Sequence, residues 1–231
     1  MSRTLVGWRL CRQDRLGVRI ESVKPHWAAL GAAILIASCG GSIPKTHYYV
    51  LTLPAPAPQA KEPAPYVAAV MPFRAPGQLE QDRIVYRPSA VEIDYYEYHR
   101  WAERPAAALT AALVERLRSQ RLFSTVSFYD GKGRPDYLIR GRVDRMEEVD
   151  SQEGVSVRVE LSAEAVEGKT LKTVWSGSAS HSAAIMQGEV KVVVTEISRG
   201  VEACLTQITA GLENFIRSLP TAPVPASDGS R

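Results

Sequence analysis

Three features of the sequence predict an α/β fold: a curved, mostly antiparallel sheet with two main helices packed on it as a layered sandwich. Between Asp136 and Ala184 apolar residues recur at every second position. The clearest are Val155, Val157, Val159, Leu161, Ala163 and Ala165, with Ser156, Arg158, Glu160, Ser162 and Glu164 between them. Such alternation marks strands with one buried face and one wet face. Near the C-terminus Ile197, Val201, Leu205, Ile208, Leu212, Phe215 and Leu219 recur at steps of three and four, a single helical stripe. A second helical pattern follows Pro105. Two helices with about six or seven strands pack most economically when both helices share one sheet.

The chain opens with a basic region (Arg3, Arg9, Arg12, Arg15, Arg19, Lys24), followed by the apolar run Ala28–Ser38 and Cys39. A basic segment, a short apolar segment and small residues before a cleavage point are the layout of a secretory signal. As a helix, those eleven residues would rise about 16 Å, roughly half of a bilayer's hydrocarbon core, so they do not read as a membrane span. Ile36-Ala37-Ser38-Cys39 resembles the bacterial lipoprotein processing box, in which the Cys thiol is acylated and cleavage makes the Cys the new N-terminal residue. Cys39 is therefore the expected lipidation site. The basic region is long for a signal and includes Asp14 and Glu21, which points either to an extended leader or to a start placed upstream of the true one. Gly40 follows the Cys where Asp would suggest retention in the inner membrane. By resemblance to Gram-negative lipoproteins, the expected location is the periplasmic face of the outer membrane.

The expected organisation is a signal peptide over 1–38, a lipidated tether over 39–47, a domain over 48–219 and a disordered tail over 220–231. The whole chain carries 28 Lys and Arg against 25 Asp and Glu, a formal charge of +3. Six of the basic and two of the acidic residues precede Cys39, which leaves 22 and 23 and a mature charge of −1. Its basic pI thus belongs mostly to the leader, and the interspersed charges of the remainder exclude nucleic acid as an expected partner. Of the three cysteines, Cys11 falls in the leader and Cys39 at the lipid site. Cys204 is left alone on an apolar helix face, where it reads as a small buried hydrophobe.

Past the tether, His47–Leu53 is strand-like and leads into the alternating prolines of Pro54–Pro65, a surface connection with polyproline character. Tyr66–Phe73 is a continuous apolar run of strand length, as expected of a central strand buried on both faces. Arg83–Tyr86 and Val91–Tyr95 read as two short strands. Pro105 then opens a helix that carries Leu109, Leu113 and Leu117 among alanines and ends near Gln120. Phe123–Tyr129 is the next strand. The turns Ser151–Gly154 and Glu167–Lys169 divide the alternating region into an antiparallel meander of about 137–149, 155–166 and 170–184. The last helix spans about Glu189–Leu219, and the prolines from Pro220 stop it.

No nucleophile elbow, phosphate-binding loop or His-Glu-x-x-His pair occurs in the sequence. His47, His99 and His181 lack a second ligand at helix-face metal spacing, and neither a metal nor a cofactor is expected. Ser176–Ser182, which includes His181, reads as a polar outer strand face rather than a hydrolase site built on Ser178 or Ser180. Asp144, Glu147 and Glu148 lie among Arg140, Arg142 and Arg145 and read as a solvated ladder of opposite charges.

The densest cluster of chemistry-bearing side chains is Tyr95, Tyr96, Tyr98 and Trp101, four large aromatics in seven residues of a chain that is 7% aromatic. Part of this cluster belongs in a core, and together the four are the candidate partner-binding surface. Cys39, then Tyr48-Tyr49-Val50-Leu51, Ile84-Val85-Tyr86-Arg87 and Tyr95–Trp101, leading through Pro105 into an Ala/Leu helix, resembles the ABC-type transport auxiliary lipoproteins, including the paraquat-inducible protein C type. The resemblance runs from Cys39 to about Leu219. It implies a non-catalytic periplasmic lipoprotein that works beside an ABC permease and a mammalian-cell-entry (MCE) protein in moving lipid between the envelope membranes. Because MCE assemblies are rings, a homo-oligomer is also expected. The alternative is a periplasmic lipid-binding shuttle, or an assembly lipoprotein of another envelope complex.

Overall fold

The computed structural model describes residues 44–151, 154–186 and 189–220. The segment 1–38, Cys39 and residues 221–231 lie outside the described residues, and with them the expected signal, lipid site and most of the tail. Described in chain order are β1 (His47–Tyr49), β2 (Ala64–Val70), β3 (Arg83–Ser89), β4 (Glu92–Trp101), α1 (Pro105–Ser119), β5 (Phe123–Phe128), β6 (Tyr137–Ser151), β7 (Gly154–Glu167), β8 (Thr173–Ile185) and α2 (Val190–Ser218).

The long strand β6 organises the sheet. One of its edges pairs antiparallel with β7, from Tyr137↔Glu167 to Ser151↔Gly154, and β7 pairs antiparallel with β8. The other edge is shared. Tyr137–Ile139 pair in parallel with Ala68–Val70 of β2, while Glu148 and Val149 pair in parallel with Tyr86 and Arg87 of β3. Beyond β2 lies β5, and beyond β3 lie β4 and then β1. The long ladders are antiparallel as expected, but four shorter pairings are parallel: β1 with β4, β2 with β5, and β6 with both β2 and β3. Parallel neighbours are joined through distant chain, which local periodicity does not register.

Both helices cover one face. Leu109, Leu113, Val114 and Leu117 of α1 join Ile197, Val201, Leu205, Ile208 and Leu212 of α2 over Val143, Met146, Val157, Val159 and Leu161. Each fully buried aliphatic side chain contributes about 1.5–3 kcal/mol relative to exposure. Two close approaches set the spacing. The ring of Phe73 lies on Gly141 of β6, where a Cβ would meet a ring carbon at 2.1 Å, and Gly200 lets α2 settle on Val159. The end of β2 is tied to α1 by Thr110, whose Oγ1 accepts the Phe73 N–H at 2.9 Å and donates to the Ala106 carbonyl at 2.6 Å. The helices are joined by Arg116, buried, which bonds Glu202 and Thr206.

The proline-rich connection does more than run over the surface. After Tyr49 the chain leaves β4, so the expected strand shortens to three residues, and it crosses the helical layer as a strap. Leu51 and Leu53 pack on the core. Thr52 N–H donates to Ser198 Oγ on α2 at 3.2 Å, Gln59 N–H to the Ser119 carbonyl at the end of α1 at 3.0 Å, and Lys61 Nζ to Glu213 Oε1 at 2.7 Å. Proline removes ladder donors, so extended chain here finds partners on the helices instead of in a sheet.

Two expectations are corrected by burial. Glu147 and Glu148 are buried rather than part of a solvated ladder. Glu147 is held by Arg87 through two parallel bonds, Nε to Oε1 and Nη2 to Oε2, both 3.1 Å. Strand alternation turns Glu148 to the opposite face, beside Val157 and under the helices, because the two residues are adjacent. Trp101 is only 3% exposed and belongs to the core. Its N–H donates to the Asp82 carbonyl at 2.6 Å, which pins the end of β4 inward and removes Trp101 from the candidate docking surface.

Candidate functional site

β4 places its aromatic residues between β3 and the three-residue edge strand β1, where period-two geometry and a short neighbour leave them half-covered. Tyr95 has Val85 as its cross-strand partner and packs on the core, as does Tyr96. Tyr98 is half-buried. Around them is a set of groups that only the tertiary structure assembles. Tyr96 O–H donates to Glu148 Oε2 at 2.8 Å, and Tyr86 O–H donates to Asp94 Oδ2 at 2.9 Å. The Tyr86 and Tyr96 rings lie 5.0 Å apart, and His99 meets Tyr96 edge-on at 5.7 Å. His47 of β1 stacks on His99 at 5.3 Å, and Tyr49 Oη shares a 2.8 Å hydrogen bond with His99 Nδ1.

The electrostatics follow from burial. Desolvation raises the Glu148 carboxyl above the usual range, and it outweighs the Tyr96 hydrogen bond that acts the other way. The Tyr96 phenol is pushed well up, first by burial and then by its bond to Glu148, so its proton stays on oxygen. His99 is shifted down by burial and by the neighbouring His47. Asp94 is held low by the Tyr95 N–H and the Tyr86 hydroxyl. A phenol with so high a pKa is a poor general acid near neutrality. It is a good rigid donor, and aromatic surface with fixed polar tips suits docking. Below the rings a cleft of about 320 Å³ is lined by Tyr86, Tyr96, Glu148, Val155, Ile185 and Val193.

The other sequence candidates are placed apart from this cluster. Ser178 and Ser180 are exposed on the outer face of β8, while His181 turns toward α2 and bonds Glu196 Oε1 at 3.0 Å. Cys204 is buried, with its thiol pushed up to about 11 by desolvation. Among the described residues no group of three His, Cys, Asp or Glu side chains is placed to hold a metal, and no helix is long and apolar enough to cross a membrane. Cys39 lies outside the described residues, five positions before Pro44.

The family model for the ABC-type transport auxiliary lipoprotein component matches residues 49–209, which takes in every described element from the end of β1 through most of α2. The chain belongs to this family. Solved structures share its fold. A Xanthomonas campestris protein described by the family model DUF330 matches with a TM-score of 0.65 at 16% identity, covering 75% of this chain and 99% of that one. A crystal structure of an uncharacterized protein matches with a TM-score of 0.56 at 17% identity, over 75% and 99% of the two chains. No curated protein matches the sequence. The family's description implies association with an ABC transport system. The carboxylate beneath the aromatic edge and the two stacked histidines carried no sequence signal, because β3, β6 and β1 bring them together from distant positions.

Proposed function

We propose that the protein is a non-catalytic lipoprotein, anchored by an acylated Cys39 at the periplasmic face of the outer membrane, that serves as the auxiliary component of an MCE-type ABC system moving lipid between the envelope membranes. The observation that carries this reading is the family match beginning at residue 49, ten positions after the lipobox cysteine. The anchor takes more than one acyl chain, because a single chain holds only weakly. Gly40–Lys45, six residues, extends at most about 20 Å, so docking occurs close to the membrane. The docking surface is the edge carrying Tyr95, Tyr96 and Tyr98, and its partner is the MCE protein that works with the permease. Self-association into a ring that matches an MCE ring is part of the proposal.

Affinity capture of the tagged full-length chain from detergent-solubilised envelopes, with mass spectrometry of copurifying proteins and of the N-terminal peptide, tests the reading. Recovery of an MCE protein and a permease together with an acylated Cys39 supports it. An unmodified Cys39 inside an intact leader, or capture of lipid without either protein, overturns it.

A further inference from the structure

The face of the sheet opposite the helices holds a cleft of about 510 Å³, with the side chains of β6, β7 and β8 on one side and the segment after β2 on the other. Three arginines converge there. Arg140 and Arg142 are two apart on β6, so their side chains leave the same face about 7 Å apart. Arg74 is the bridge partner of Arg142, and it is clamped by its own N–H on the Gly141 carbonyl at 2.9 Å and by Val143 N–H on its carbonyl at 2.8 Å. Like charges opposite one another on neighbouring strands repel unless something neutralises them.

The neutralisation within the described residues is partial. Asp144 forms an ion pair with Arg142, with Nε 2.7 Å from Oδ1, and accepts a hydrogen bond from Ser162 Oγ at 2.7 Å; among the described residues the Arg142 terminal nitrogens have no partner. Among the described residues, the side chains of Arg74 and Arg140 make no ion pair or hydrogen bond, although Glu164 stands beside Arg140 across the strand. From β8 the exposed hydroxyls of Ser176 and Ser178 complete the rim, and Met71 and Pro72 add an apolar wall. Forked guanidinium donors with hydroxyls beside them match the oxygens of a phosphate group.

We propose that this cleft binds a phosphate group, carried either by a small free phosphate or by an anionic lipid head. Arg74 and Arg140 are the principal ligands, Arg142 is oriented by Asp144, and Ser176 and Ser178 are secondary donors. The apolar wall faces the rest of the molecule that carries the phosphate. The site is independent of the tether and of the aromatic edge, so it stands or falls apart from the transport reading.

Calorimetric titration of the full chain in detergent tests it, using inorganic phosphate, glycerol 3-phosphate, dihexanoylphosphatidylglycerol and the zwitterionic dihexanoylphosphatidylcholine as probes. The expected result is binding of the anionic probes that weakens by about tenfold or more in Arg74→Gln/Arg140→Gln and persists in the charge-matched loop control Lys132→Gln/Arg134→Gln. Ser178→Asp, which puts a carboxylate in the cleft without removing an arginine, abolishes binding as well. Phosphatidylglycerol binding at least tenfold tighter than glycerol 3-phosphate identifies a lipid head; equal or weaker binding identifies a free phosphate. The proposal is overturned if no anionic probe binds, if phosphatidylcholine binds as well as phosphatidylglycerol, or if neither the arginine pair nor Ser178→Asp changes the affinity.

Discussion

At the scale of single residues, β4 contains both a core anchor and a surface within four positions. Trp101→Ala removes a large buried side chain and is expected to cost about 3–5 kcal/mol in a urea melt. Tyr98→Ala, at a half-buried position, is expected to leave the melt nearly unchanged while reducing capture of the transport partner. If Tyr98→Ala captures partner as well as the parent chain, the docking edge is misassigned. Glu148 makes a pH prediction. Its folded pKa is raised, so the native state holds the proton more tightly than the unfolded chain, and burial of the charge becomes a growing penalty as pH rises from the ordinary value of 4.5 through the folded value. Glu148→Gln removes that penalty and leaves Tyr96 an acceptor. Thermal melts are expected to show the variant more stable than the parent at pH 7, with the gap closing below about pH 4. The aromatic run was legible as a dense cluster. Its division into core and surface was not, because strand alternation and the strands flanking β4 decide which ring is covered.

At the scale of elements, α1 ends in a left-handed turn without a glycine. Arg121 has φ 49°, its N–H bonds the Arg118 carbonyl at 3.0 Å and Leu122 N–H reaches the Leu117 carbonyl at 3.3 Å, the paired bonds of a Schellman end. Arg121→Gly relieves the clash of a Cβ in that conformation and is expected to raise stability by about 0.5–1 kcal/mol. An unchanged or lowered denaturation midpoint would count against this account of the helix end. Gly141→Ala has the opposite sign. Its new methyl meets the Phe73 ring, which is itself wedged in the core, and the expected loss is about 1–3 kcal/mol by denaturant titration. The start of α1 and the end of α2 lie within a residue of the sequence expectation, since Pro105 is a local start signal and the prolines from Pro220 are a local stop signal. Strand ends are less legible, and β1 keeps three of the seven residues His47–Leu53 because the strap's hydrogen bonds lie on another layer.

At the scale of the whole molecule, the strap over 50–63 links the first strand to the helical layer by two leucines, two backbone hydrogen bonds and one exposed ion pair. These contributions are unequal. Lys61→Ala breaks a pair whose lysine is half-exposed and is expected to cost less than about 1 kcal/mol. Leu53→Ala strips apolar contact from the core and is expected to cost about 1–2 kcal/mol and to open the strap to limited proteolysis. A strap cut equally fast in the parent and in Leu53→Ala would show that it is not held by its leucines. With β1 paired to β4 by only three residues, the strap also secures the end of the domain nearest the tether.

The fold class, the two helices, the β6–β7–β8 meander and family membership follow from the sequence by itself. Each rests on local periodicity, turn residues or an ordered series of short segments, all of which are properties of nearby positions. The tertiary structure alone decided the parallel pairings around β6, the course of the strap, the burial of Trp101, Glu147 and Glu148, and the meeting of Arg74 with Arg140 and Arg142. Each of these depends on which distant segments become neighbours when the sheet closes its hydrophobic face against the helices. A strand's own pattern says that one face is buried, but not which strand lies beside it.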